Sequence, residues 1–211
     1  MNKTVSKKIE SFFVRYKHQT YKKGEILIRA DEYPSGVFYL KEGVVKEYAI
    51  SKKGEEVVVN IFKPGSFFPM SWAINSTPNN FYFEAVSRVE AWKAPKEPVL
   101  EFIKSNPDVL YDLTSRVYKG IDDVLMRSAY LMFGNAYERL IQELVIQSKR
   151  FGVTRGHFLD LRTSEKDLAS QSGLTRETVS RELKTLKDKG FVVFNKHILT
   201  IKNLRELEKE L

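Results

Sequence analysis

The 211-residue chain has no cysteine, only three histidines and two tryptophans, and no long uninterrupted apolar run. The missing cysteine excludes disulfides, cysteine-ligated zinc, iron–sulfur clusters and thiol catalysis together. It fits a reducing compartment, and a cytoplasmic location is the expectation. The histidines stand at 18, 157 and 197, with no pair at ligand spacing, so neither a metal centre nor a metal-dependent cupin is expected. There is no glycine-rich phosphate loop and no nucleophile elbow, which argues against an enzyme and against a bound cofactor. No segment approaches the ~18 consecutive apolar residues of a membrane helix. The charged opening MNKTVSKKIESFFVRYKH has no signal-peptide core, so no membrane partner is expected.

What is present reads as ordinary globular protein, with 42% hydrophobic and 29% charged residues. A chain this long makes one or two domains. Lys and Arg number 35 against 27 Asp and Glu, a net charge of +8. That excess favours an anionic partner, nucleic acid first and a membrane surface second. Residues 1–23 hold seven basic and one acidic residue and are expected to form a solvated arm.

The first half is punctuated by Gly24, Gly36, Gly43, Gly54 and Gly65. Between them lie short β-branched and aromatic runs such as GVFYL and EEVVVNIF, the pattern of an antiparallel sandwich or barrel. Ser51-Lys52-Lys53-Gly54 reads as a hairpin tip and Pro64-Gly65 as a second turn. A last strand region runs from about Phe81 to Lys93.

Beyond Pro95 the spacing becomes helical. Asn106-Pro107-Asp108 opens a helix, with a capping side chain followed by proline at the first helical position. It runs to Phe133 and is roughly 40 Å long. Leu110, Leu113, Val117, Ile121, Val124 and Leu131 form one apolar seam, which suits a dimer coiled coil better than an internal core helix. Phe133-Gly134-Asn135 breaks the helix, as a hinge or as a tight connection. Asn135 and Glu138 are spaced as a capping box for the next helix.

The most specific stretch is SEKDLASQSGLTRETVSRELKTL, residues 164–186. Two short helical patterns flank Gly173. Leu168, Leu174, Val179 and Leu183 fall where crossing helices need apolar contacts, and Ala169 permits their close approach. This is a helix-turn-helix pattern, whose second helix enters the DNA major groove. Arg176, Glu177, Ser180 and Arg181 share the side opposite Val179, Leu183 and Leu186. An arginine fork binds guanine O6 and N7, and glutamate accepts from the cytosine amino group. Ser164, Thr175 and Thr178 lie near helix N-termini, suited to phosphate oxygens, with Lys184 as a further phosphate candidate. The alternative for the same face is a solvated surface of Arg–Glu pairs. After Gly190, VVF and ILTI flank Asn195-Lys196-His197 and form a wing.

On these features the chain resembles the cyclic-AMP receptor protein and fumarate–nitrate regulator (Crp–Fnr) family of bacterial transcription factors. The most specific part is LTRETVSREL followed by LKDKGFV, and FKPGSFF resembles the turn before the family's ligand pocket. The resemblance implies an α+β protein in three parts: a β-roll sensor over 1–106, a dimerisation helix over 107–133 and a winged helix-turn-helix over 134–211. It implies a homodimer on a two-fold-symmetric operator, with RNA polymerase as a further partner. Arg176, Glu177 and Arg181 match base readers of the cyclic-AMP branch, and Ser180 and Arg181 match readers of the oxygen-sensing branch.

One departure bears on the effector. The cyclic-AMP branch places Gly-Glu after Pro-Gly to hold the ribose, and an Arg-Ser pair about ten residues later for the cyclic phosphate. Here those positions read Pro69-Met70 and Asn79-Asn80. A buried cyclic phosphate without a cation is poorly compensated, so cyclic AMP is not expected to bind. A haem sensor fares no better, because His18 is the only histidine of the sensor part. Around the expected pocket stand Phe67, Phe68, Met70, Trp72, Phe81, Tyr82 and Phe83. Two readings stay open: these residues fill the core, or they line an apolar pocket for an uncharged effector. The competing function is an architectural protein that coats DNA without sequence preference, which would need only phosphate contacts.

Overall fold

The computed structural model describes residues 3–52, 54 and 56–211; Lys53 of the expected hairpin tip and Glu55 of the strand run after it lie outside the described residues. The chain divides into two compact units, residues 1–117 and 118–211.

The first unit runs α1 (Lys3–Phe13), β1 (Lys17–Tyr21), β2 (Ile26–Ile28), β3 (Val37–Glu42), β4 (Val45–Ile50), β5 (Glu56–Phe62), β6 (Phe67–Phe68), α2 (Met70–Asn75), β7 (Tyr82–Ala85), β8 (Val89–Ala94), α3 (Lys96–Lys104) and the start of α4 (Pro107–Phe133). The strands form two antiparallel sheets, ordered β1-β8-β3-β6 and β2-β7-β4-β5. Between the sheets lies a core of Ile28, Phe38, Leu40, Val45, Phe68, Phe83, Ala85, Val89 and Ala91. The other face of the first sheet is covered by helices, with Val37, Tyr39, Phe67, Trp92 and Ala94 packed beside residues of α1, α3 and α4. β3 is therefore buried on both faces, which explains why GVFYL has no polar alternation. Gly43 cannot be another residue: its φ is +90°, and a Cβ there would meet the Arg88 carbonyl oxygen at 2.2 Å.

Three expectations are corrected in this unit. The basic N-terminal stretch is no solvated arm. α1 buries Val5, Ile9, Phe12 and Phe13 along one face, and Phe12 stacks on Phe102 with ring centroids 4.2 Å apart. Lys7 stands exposed on the opposite side, which is why the charge count alone misleads. Leu113 does not belong to an exposed seam. It is 8% exposed and packs with Val109 in the helix-covered core. Asn106 does not cap α4 with its side chain; its amide donates back to the Phe102 carbonyl at 2.7 Å and closes α3. The rest of the seam, Leu110, Val117, Ile121, Val124 and Leu131, stands between 43% and 53% exposed.

Glu47 is the one carboxylate on the core face of β4. Its register partners are Asn60 on β5 and Phe83 on β7, and Phe83 is fully buried. Burial pushes the Glu47 carboxyl up to about 7, with a hydrogen bond to Asn60 pulling in the other direction.

The second unit continues α4 and adds α5 (Ala136–Phe151), β9 (Val153–Arg155), β10 (Phe158–Arg162), α6 (Glu165–Ser172), α7 (Arg176–Asp188), β11 (Val192–Asn195), β12 (Ile198–Ile201) and α8 (Leu204–Glu208). Asn135 and Glu138 make the capping box reciprocally at the start of α5. Gly134 is demanded by close approach, since a Cβ would lie 2.7 Å from the Tyr130 carbonyl oxygen. The strands form one antiparallel sheet, ordered β11-β12-β10-β9, with the wing turn at 195–197.

Candidate nucleic-acid interface

The helix-turn-helix is built on α5. Leu140, Ile141, Leu144 and Val145 meet Leu168 and Ala169 of α6 and Val179, Leu183 and Leu186 of α7 in one core. Gly173 joins α6 to α7 at φ +63°, in left-handed conformation, and a Cβ there would sit 2.9 Å from an Arg139 nitrogen. Thr175 caps α7 by accepting from the Thr178 amide at 3.2 Å. With one side of α7 fixed in the core, Arg176, Glu177, Ser180, Arg181 and Lys184 all face solvent.

The electrostatics of that face are specific. Arg176 Nε donates to Glu165 Oε2 at 3.3 Å, and Arg181 Nε donates to Glu182 Oε1 at 3.0 Å. The Glu177 carboxyl is held below its usual range, first by its own backbone N–H at the helix N-terminus and then by the Thr175 hydroxyl. It is an ionised acceptor at neutral pH. Ser164 is more committed than expected for a phosphate ligand: its hydroxyl caps α6, accepting from the Asp167 amide at 3.1 Å and bonding the Asp167 carboxylate at 2.5 Å. The Thr175 and Thr178 hydroxyls lie 3.0 Å apart and are also engaged with each other.

Sequence reasoning missed the polar framework behind this face. Arg139 donates to the Ser172 and Gly173 carbonyls at 2.8 and 2.6 Å, fastening the turn between the two helices. Arg127 of α4 grips Glu143 through two bonds, at 2.7 and 3.0 Å, and the Glu143 side chain is 1% exposed. Gln147 donates to Glu143 at 2.9 Å and reaches Gln171 of α6. The spacing Arg139–Glu143–Gln147, four residues apart along one face of α5, is a signal that sequence reasoning left unused.

The residues expected around an effector pocket divide between two cores. Phe67, Met70 and Trp72 belong to the helix-covered core, and Phe68, Phe81 and Phe83 to the core between the sheets. Neighbours on a strand point to opposite faces, so Phe67 and Phe68 part company at once. Phe68 stacks on Phe83 at 5.3 Å and 8°, which is core packing. Asn79, at the expected guanidinium position, is buried and donates to the Arg29 and Phe81 carbonyls, both at 2.8 Å.

Residues 18–106 match the cyclic nucleotide-binding domain family, and residues 138–210 match the Crp-like helix-turn-helix domain family. The chain is 26% identical over 191 residues to the global nitrogen regulator of Nostoc sp., covering 87% of this chain and 84% of that protein. It is 23% identical over 174 residues to the cAMP-activated global transcriptional regulator CRP of Pasteurella multocida, covering 82% and 83%. A transcriptional regulator of the CRP/FNR family from Thermus thermophilus superposes with a TM-score of 0.74 at 19% identity, covering 92% of this chain and 97% of the other. A β-roll carrying a cyclic nucleotide-binding fold, a long helix and a winged helix-turn-helix, in that order, place the chain in the Crp–Fnr family of DNA-binding transcription regulators, which are not enzymes.

Proposed function

We propose that the chain acts as a homodimer that reads an inverted-repeat DNA operator through α7 and does so without cyclic AMP. The observation that carries the reading is the face of α7. Two arginines, an ionised glutamate and a serine project from a helix whose other side is locked in a core. A carboxylate in that position suits base recognition and disfavours indiscriminate phosphate binding, which sets sequence-specific regulation above architectural coating. Dimerisation rests on Leu110, Val117, Ile121, Val124 and Leu131. They are exposed and repeat at coiled-coil spacing along α4. Arg176, Glu177, Ser180 and Arg181 read bases; Lys184, with Thr175 and Thr178, contacts phosphate; RNA polymerase is the further partner, and the cytoplasm the place of action. Met70 and Asn79 offer neither the carboxylate nor the guanidinium that a cyclic nucleotide needs, and Asn79 is already committed to two carbonyls.

The two reading heads follow the dimer axis, so half-site centres lie about 34–36 Å apart, one helical turn. Two arginines and one glutamate select two guanines and one cytosine, the cytosine paired opposite a guanine, in a half-site resembling TGTGA or TTGA. Selection from random DNA tests this. The expected product is an inverted repeat, with Arg181→Ala losing about 1–3 kcal/mol per half-site and relaxing one base pair. Failure to recover a repeat, or an unchanged preference for Arg181→Ala, refutes it.

A further inference from the structure

We propose that Glu165 and Glu182 are positioning residues for the two reading arginines, each holding a guanidinium by its Nε so that the paired Nη groups are left for a guanine. The inference rests on the assignment of α7 as the base-reading helix. It adds two acidic residues that touch no base.

The same arrangement occurs twice from different parts of the fold. Glu165 lies in the first turn of α6 and receives Arg176 Nε; Glu182 is the next residue after Arg181 on α7 and receives Arg181 Nε. In both pairs the acid is the sheltered partner. The Glu165 and Glu182 side chains are 25% and 14% exposed, against 72% and 69% for Arg176 and Arg181. The carboxylate is therefore the more sheltered end of each pair, and the guanidinium the more exposed one.

A guanidinium offers five N–H donors in one plane, one on Nε and four on the two Nη atoms. It can approach guanine O6 and N7 end-on, with both Nη groups, or side-on, with Nε and one Nη. A carboxylate on Nε removes the side-on mode and sets the orientation of the plane before DNA arrives. Glu165 does this for Arg176 from the other helix of the motif, whose placement against α7 is fixed by Leu168 and Val179 in the shared core. Exposed ion pairs contribute little to folding, so stability does not account for two acids on a DNA-facing surface. Their negative charge also weakens attraction to phosphate whatever the sequence. An acid here lowers general affinity and sharpens base choice.

The test uses the full-length protein and its Glu165→Ala, Glu165→Gln, Glu182→Ala and Arg176→Ala variants. Each is titrated, at one fixed salt concentration, against the selected operator, its single-base variants and a random duplex. Glu165→Ala should lose about three- to tenfold of the discrimination at the one base pair read by Arg176, out of the roughly 5–150-fold that a bidentate contact supplies. It should also bind random duplex about two- to fivefold tighter, because a negative charge is gone. Glu165→Gln keeps an acceptor for Nε; it should retain the discrimination and share the tighter random binding. Glu182→Ala should behave as Glu165→Ala does, at the base pair read by Arg181. A merely structural role predicts the opposite, weaker binding to operator and random duplex alike, and that result overturns the inference. If Arg176→Ala abolishes one base preference and Glu165→Ala leaves it intact, the positioning role is wrong and the base-reading assignment stands. If Arg176→Ala changes no base preference, both fall.

Discussion

Replacing Glu47 by Gln should stabilise the protein at pH 8 and do little at pH 5. Glu47 sits on the core face of β4 opposite Phe83, and its carboxyl ionises near 7 when folded instead of at the ordinary 4.5. Below pH 4.5 the group is protonated in both folded and unfolded chains and contributes no pH dependence. As pH rises past 4.5, the unfolded chain loses this proton while the folded chain keeps it, and stability falls; above about 7 the loss is complete. At about 1.4 kcal/mol per pH unit across that interval, the loss reaches roughly 3 kcal/mol. Glutamine is neutral at every pH and keeps an oxygen for Asn60, so it escapes the loss. For a chain of this size, about 1 kcal/mol moves the melting temperature by 2–4 °C. The variant should therefore melt about 6–12 °C above the parent at pH 8 and close to it at pH 5. Thermal denaturation of both proteins across pH 5 to 8 measures this, and taking the difference cancels every other titrating group. An equal difference at both ends of the range, or an NMR titration of Glu47 with an ordinary carboxylate midpoint, would show that the reasoning is wrong.

The helix α4 supplies two contrasting tests. Ile121→Asp should give a monomer by sedimentation at micromolar concentration, whereas Leu113→Ala should leave association intact and cost about 2–5 kcal/mol of stability; a monomeric Leu113→Ala protein with an unchanged melting point would reverse that assignment. Glu143→Leu should destabilise by about 3–5 kcal/mol because Arg127 loses its buried partner, and adding Arg127→Met should recover most of the loss. Urea unfolding reads both, and a double variant no better than the single one refutes the pairing. Calorimetry with cyclic AMP should show no binding; micromolar affinity would overturn the case built on Met70 and Asn79.

The parts of the fold that were legible in the sequence are those specified by neighbours along the chain. Pro107 and the Phe133-Gly134 break bound α4 where spacing alone places them. Gly173 and Thr175 mark the helix-turn-helix because a left-handed turn and a cap each need particular residue types. What remained hidden depends on what covers a surface. The α4 periodicity identifies an apolar stripe, but only the packing of α1 and α3 shows that Leu113 is taken up within its own unit. Phe67 and Phe68 read as one aromatic cluster until strand alternation sends them into separate cores. Glu47 looks like an outward residue in a mixed strand; a register shift between Glu47 and Tyr48 breaks the alternation that would have exposed the anomaly. Nothing along the chain marks Glu143 and Gln147 as buried; their partners Arg127 and Gln171 are distant in the sequence.

α5 is buried at every residue from Ile141 to Ser148, more than two full turns. Such a helix has no neutral side, and a substitution at any of those eight positions changes a group shut away from water. α7 is the opposite case, with one side locked and the other free. Mutational drift is therefore channelled: the platform resists change, while exchanges on the outer side of α7 alter which bases are chosen without disturbing what holds the helix in place. A regulator built this way can acquire new operators one side chain at a time, keeping its fold through each step.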